Sequence, residues 1–141
     1  MEILSEELLF QKTSQELTAL LYDSLLDHLE EAIQCIEQQD FFAANQKMQQ
    51  ASDILHRLGV GLRYEGNPIA ENLDSLYNFA ASELIEANLK KDINKISIVI
   101  KIVEKISSAW NTAMKTKQTG SSDHVMKKVS MYEKNIMRAK N

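Results

Sequence analysis

Only four Gly and one Pro punctuate a chain of 141 residues. Gly opens the left-handed backbone region and Pro removes an amide donor, so a chain nearly without them has few places to turn sharply. Long helices joined by short connections follow from that scarcity. Alternating β-branched clusters are absent, so a sheet has little to build it. The length suits one compact domain with a shared core.

Apolar residues at helical spacing divide the chain into segments. Residues 1–12, with Ile3, Leu4, Leu8, Leu9 and Phe10, read as a short N-terminal arm ending at Gln11 and Lys12. Thr13-Ser14-Gln15-Glu16 has the spacing of a capping box, in which Thr13 and Glu16 satisfy each other's free amides. A first helix then carries Leu17, Leu21, Leu25, His28, Ala32 and Ile36 to about Gln39. Asp40 is the expected N-cap of a second, through Ala44, Met48, Ala51, Leu55, Leu58 and Leu62 to about Tyr64. Glu65-Gly66-Asn67-Pro68 is the clearest turn. A third helix covers Ile69 to Lys90, and Asp92 caps a fourth running through Ile96, Val99, Val103, Ile106 and Trp110 to Ala113. Residues 115–123 read as a linker, and 124–141 as a further helix with Val125, Val129, Tyr132 and Ile136. The four main helices, each of about 22 to 26 residues or 35 Å, have the lengths of an antiparallel up-down bundle occupying residues 13–114. The expected fold is all-α: a four-helix bundle, a short N-terminal arm and an additional C-terminal helix.

The charge is uneven. Residues 1–114 hold nine Lys and Arg against eighteen Asp and Glu, whereas 115–141 hold seven against two. A basic tail on an acidic body either docks on that body, contacts something anionic, or stays solvated. One cysteine, Cys35, forms no internal disulfide and fits a reducing compartment. No basic stretch followed by an apolar core opens the chain, and no apolar run approaches the ~20 residues of a membrane span. A cytoplasmic location without stable membrane insertion is the expectation.

Reactive constellations are scarce. Asp53-x-x-His56 echoes half of a carboxylate-bridged di-iron motif, but His28 follows Leu25 and His124 follows Ser121, so no second copy exists. Cys35 has no basic or histidine neighbour at helical spacing, which makes it a packing residue. Phosphate-binding Gly-rich loops and nucleophile elbows are absent. Basic residues are not interleaved with aromatics, so no nucleic-acid platform is formed. The chain reads as a binding module, not an enzyme, with no cofactor and no metal.

Several words go beyond what an amphipathic helix requires. Helix one opens T-S-Q-E-L-T-A-L-L-Y-D, with Glu16, Leu17, Leu21, Tyr22 and Asp23. Helix two offers Ala51, Ile54, Leu55, Leu58 and Leu62. The third reads L-x-x-L-Y at Leu73, Leu76 and Tyr77, then L-I-E-A-N-L-K-x-D through Leu84, Glu86, Ala87, Asn88 and Asp92. The fourth ends A-W-x-x-A at Ala109, Trp110 and Ala113. In this order and spacing the words resemble the flagellar export chaperone family (FliS), from about Thr13 to Ala113. The resemblance implies a four-helix bundle that holds the disordered C-terminal segment of flagellin in outer grooves, prevents premature polymerisation and supports export. It also implies that the N-terminal arm, here Leu4, Leu8, Leu9 and Phe10, lies over the groove when no client is bound. The chain departs from the family pattern at Ser14, Ser24, Ser82, Glu83, Ser107 and Ser108. There the family favours Pro, Gly, a basic pair and an Arg-Asp pair.

Helix four has a second apolar stripe, Ile98, Ile100 and Ile102, beyond its core-facing one. Burying Ile98 and Ile102 contributes roughly 3 to 5 kcal/mol, enough to anchor a partner helix. The cover is either the arm, the C-terminal helix, a second copy or a foreign helix. Candidate partner-binding residues on helices two to four are Ile54, Leu58, Leu62, Phe79, Ile85, Ile98 and Ile102. Asn88 either bonds a partner backbone amide or caps its own helix. Leu73, Leu76, Tyr77, Leu84 and Trp110 are structural. The molecule is expected to be a monomer or weak homodimer that binds flagellin, with the export machinery as a further partner. A homo-oligomeric adaptor, or a chaperone for another secreted flagellar protein, is the alternative.

Overall fold

Aspartate side chains, rather than Gly or Pro, cap two of the helix starts. The computed structural model describes the backbone of residues 2–62 and 68–118, and side chains over 15–61 and 72–115. Four helices fill the described residues: α1 (Glu2–Glu37), α2 (Phe41–Leu62), α3 (Pro68–Lys90) and α4 (Ile93–Gln118).

Two turns are made the same way. The Asp40 amide donates to the Cys35 carbonyl at 2.8 Å and the Gln39 amide to Ile36 at 2.9 Å, with Gln39 at φ 60°. This is a Schellman ending, in which the left-handed position is normally Gly. Asp40 then starts α2: its Oδ1 accepts from the Ala43 amide at 3.2 Å and its carbonyl from Ala44 at 3.0 Å. After α3, Lys91 takes the left-handed position at φ 52° and the Asp92 amide donates to Ala87 at 3.0 Å. Asp92 Oδ1 accepts from the Asn94 amide at 3.0 Å, opening α4. Both aspartates cap as their spacing predicts. Pro68 takes the first position of α3, where its missing N–H costs nothing.

The core is one cluster fed by all four helices. It takes Tyr22, Leu25, Leu29, Ala32 and Ile36 from α1, and Ala44, Met48, Ala51, Ile54, Leu55 and Leu58 from α2. Tyr77, Ala80, Leu84 and Ala87 come from α3, and Ile96, Val99 and Val103 from α4. Each helix packs on two neighbours, α1 on α2 and α4, and α3 on α2 and α4, closing a ring. Across it, the Tyr22 and Tyr77 hydroxyls share a hydrogen bond of 2.5 Å, and the Tyr22 ring meets Trp110 edge-on. The Trp110 indole N–H donates to the Gln15 carbonyl at 3.4 Å, tying α4 to α1.

Three expectations need correction. The arm, the break at Gln11 and Lys12 and the start at Thr13 give way to an uninterrupted α1 from Glu2. No Gly or Pro lies between Glu2 and Glu37, and Gln11 and Lys12 are good helix formers, so nothing stops the helix there. A capping signature marks a start only where the chain arrives non-helical. Second, the buried stripe of α1 passes through Tyr22 and Leu29, leaving His28 half-buried and Leu17 55% exposed. Third, α4 continues to Gln118, so Lys115 to Gln118 are helix and not linker. The Gly66 turn and the expected helix at 124–141 lie outside the described residues, as do the side chains of Leu4, Leu8, Leu9, Phe10 and Leu62.

Candidate functional site

Where α3 turns its core face inward through Leu84 and Ala87, the next positions around the helix, Ile85, Asn88 and Leu89, border α2. Facing them, α2 presents Asn45, Met48, Gln49 and Ser52. Between the two helices lies an open groove of about 460 Å³, closed at one end by Lys91. Its floor is core: Met48 and Leu84 are each 1% exposed. Its rim is apolar and wet, with Ile85 62% and Leu89 81% exposed. Aliphatic side chains in that position lose contact with water only when something else lies over them.

The closed end is polar and ordered in one direction. Lys91 Nζ donates to Asn88 Oδ1 at 2.5 Å, and Asn88 Nδ2 donates to Asn45 Oδ1 at 2.6 Å. Asn88 therefore links α3 to α2, which is neither of its two expected uses. Asn45 lines the groove, and its amide N–H groups have no partner among the described residues.

A second surface lies on α3 and α4. Phe79 is 48% and Ile98 45% exposed, and Ile102 is half-buried. Lys95 on α4 reaches Glu86 at 2.8 Å and Glu83 at 3.5 Å on α3. The Lys95 hydrogen bond holds the Glu86 carboxyl below its ordinary range, and Glu86 in turn raises the Lys95 ammonium. Glu83, a departure from the family pattern, is thus occupied within the bundle. On the opposite side, Lys47 and Glu31 tie α2 to α1 at 2.7 Å, the bond lowering the Glu31 carboxyl and raising Lys47. Ser107, another departure, is buried in α4.

Of the candidate partner-binding residues, Phe79, Ile85 and Ile98 are exposed, and Asn88 and Ile102 half-buried. Ile54 and Leu58 are corrected to core, each 6% exposed. The reason is that α2 crosses the ring with a broad inward face, and both residues fall within its apolar arc. Sequence reasoning missed Asn45, Met48, Ser52 and Lys91 as groove residues. Only Leu89, an aliphatic one step past the buried stripe, carried a signal for it. Phe41 and Phe42, 48% and 74% exposed at the start of α2, also went unremarked. The Asp53–His56 pair is exposed, and no group of three or more His, Cys, Asp or Glu comes together among the described residues. No described helix is long and apolar enough to cross a membrane.

Among the described residues, four helices frame an open groove lined by both apolar and polar side chains. Residues 6–117 match the family model described as "Flagellar protein FliS", and the chain belongs to that family. It is similar to the "Flagellar secretion chaperone FliS" of Vibrio cholerae, at 30% identity over 68% of this chain and 71% of the relative. Against the protein of the same description from Salmonella typhimurium the identity is 31%, over 74% and 79%. The Bacillus subtilis relative is 26% identical over 75% and 79%. The family is one of flagellar export chaperones, not of enzymes.

Proposed function

We propose that this protein is a cytoplasmic chaperone for flagellin: it binds the unfolded C-terminal segment, prevents premature polymerisation and supports export. The groove between α2 and α3 carries the reading, because Ile85 and Leu89 stand exposed on its rim above a buried floor. A disordered segment that folds on binding must offset its ordering cost by burying a long interface. The groove, together with the separate surface of Phe79, Ile98 and Ile102 on α3 and α4, offers such an interface. The helices run up and down, each antiparallel to the next. Supporting this, Asn45 meets Asn88 near one end of the α2–α3 pair, while Gly59 approaches Asp74 near the other. Residue numbers thus rise along α2 as they fall along α3. In this reading residues 1–141 form a single helical domain, and Leu4, Leu8, Leu9 and Phe10 regulate access to the groove. The basic segment 124–141 is a further helix.

The protein acts as a monomer or weak homodimer. A homo-oligomeric adaptor is the competing reading, favoured by Leu17 and Leu20, which are 55% and 62% exposed on α1. Titrating the purified protein with a flagellin C-terminal peptide by calorimetry, with light-scattering mass before and after, separates the two. Binding near one to one to a monomer or weak dimer is expected. A stable oligomer indifferent to the peptide refutes the proposal.

A further inference from the structure

From the hydrogen-bond relay at the closed end of the α2–α3 groove we infer that a bound segment lies there with the C-terminal end of a helix at Asn45 and Lys91. The inference rests on the client reading above and adds a direction to it. Lys91 donates to Asn88 Oδ1, Asn88 Nδ2 donates to Asn45 Oδ1, and the Asn45 amide N–H groups come last. All donors point the same way, starting from a cation, and such chains polarise one another so that the terminal donor is strengthened. Lys91 keeps two further N–H donors and has no carboxylate partner among the described residues, whereas Lys47 and Lys95 are both ion-paired. This end of the groove thus holds a cation and the unpartnered Asn45 N–H donors, which suit an acceptor group, best a negative one.

The last turn of a helix answers that description. Its final four carbonyls lack intrahelical partners, and the aligned peptide dipoles leave it partly negative. The rest of the groove fits the same occupant. From Asn45 to Ser52 it follows α2 for about 10 Å, two helical turns. Met48, Leu84, Ile85 and Leu89 face the apolar side of an amphipathic segment along that length. A helix entering the other way would set its free amides and positive end against Lys91. The cation and the Asn45 donors thus select one of two orientations that the apolar walls alone do not distinguish.

The test uses the full-length protein and a synthetic flagellin C-terminal peptide. The peptide is spin-labelled either before the first residue of its groove-binding helix or after the last. The side-chain NH2 signals of Asn45 and Asn88 are then read by NMR. Broadening by the label after the last residue alone is expected, as is a five- to ten-fold loss of affinity in Lys91→Met with a weaker dependence on salt. Asn45→Asp, which ends the relay in an acceptor, should weaken binding at least as much, and melting curves verify that both variants are folded. Broadening by the opposite label, or folded variants that bind like wild type, overturns the orientation while leaving the client reading intact. A peptide that does not bind wild type at all overturns both.

Discussion

Removing the rim of the α2–α3 groove should separate binding from folding more cleanly than any other change. Fully covering an exposed Ile or Leu contributes about 1.5 to 3 kcal/mol. Ile85 and Leu89 are still 62% and 81% exposed in the free protein. Scaled by those fractions, an occupant that covers both gains about 2 to 4 kcal/mol. Part of that is offset by ordering the partner, and alanine keeps its Cβ, so Ile85→Ala with Leu89→Ala should lose about 2 kcal/mol. That corresponds to roughly thirty-fold in Kd. The free fold should hardly notice, because substitutions at exposed positions usually change stability by no more than about 0.5 kcal/mol. Leu84→Ala is the contrasting control. One residue away but 1% exposed, it should cost the fold about 2 to 5 kcal/mol through transfer and cavity terms. Calorimetric titration with the flagellin peptide and chemical denaturation of the free variants measure the two quantities. Binding within two-fold of wild type by a folded double variant would refute the assignment of this groove. Loss of folding would show that the rim is structural.

On the second surface, Ile98→Asp with Ile102→Asp should abolish peptide binding, since an unpaired charge against apolar groups costs several kcal/mol; retained affinity in a folded variant excludes that surface. Because Ile102 is half-buried, urea denaturation must accompany the titration. Gln39→Gly should stabilise the fold by about 1 kcal/mol, because the left-handed position at φ 60° penalises any side chain. A thermal melt unchanged or lowered would refute the strain. Asp40→Ala, which removes the cap of α2, should destabilise by about 1 kcal/mol in the same melt. Tyr77→Phe deletes the buried hydrogen bond to Tyr22 and should lower unfolding free energy by about 0.5 to 1.5 kcal/mol in urea. The ion pairs set a pH response. Glu31 and Glu86 have folded pKa values below their unfolded ones, so their contribution is present above the unfolded value and is lost as pH falls through the folded one. Lys47 and Lys95 are raised, so theirs is lost as pH rises through the folded value. Both contributions should shrink in high salt, and Lys95→Met should remove its share at either pH limit, which pH-dependent melts would detect.

The fold was legible because its signals are redundant. In α2 the same positions, Ala44, Met48, Ala51, Leu55 and Leu58, satisfy both the helical period and burial, and Asp40 and Asp92 announce their helices by side-chain chemistry alone. The start of α1 was not legible, because Thr13 to Glu16 spells a cap that only a preceding break would activate. Its inward face was missed as well. The expected stripe steps by four from Leu17 through Leu21 to Leu25 and then by three to His28, whereas the buried one runs Tyr22, Leu25, Leu29, Ala32 and Ile36 in alternating steps of three and four. The groove was less legible still. Ile85, a candidate contact residue by its spacing, is 62% exposed. Ile54 and Leu58 have the same composition, and only packing distinguishes them. Asn45 and Lys91 lie far apart in sequence, and Asn88 brings them together.

The two findings about α3 bear on each other. A helix that buried every aliphatic side chain would need none at Ile85 or Leu89, since Tyr77, Ala80, Leu84 and Ala87 already fill its inward arc. The core also keeps small residues, Ala80 and Ala87, on the buried face while larger ones stay outside. Stability alone would favour the reverse arrangement, because larger inward side chains bury more area where packing permits. Asn88 spans from α3 to Asn45 on α2 within a single hydrogen bond of 2.6 Å. The floor of the groove is formed by Met48 and Leu84, and its rim is left in water. The apolar area withheld from the core is thereby presented on a rigid, four-helix support. A partner that must fold as it binds gains most from such a preorganised surface, because the ordering cost falls on one side of the interface only.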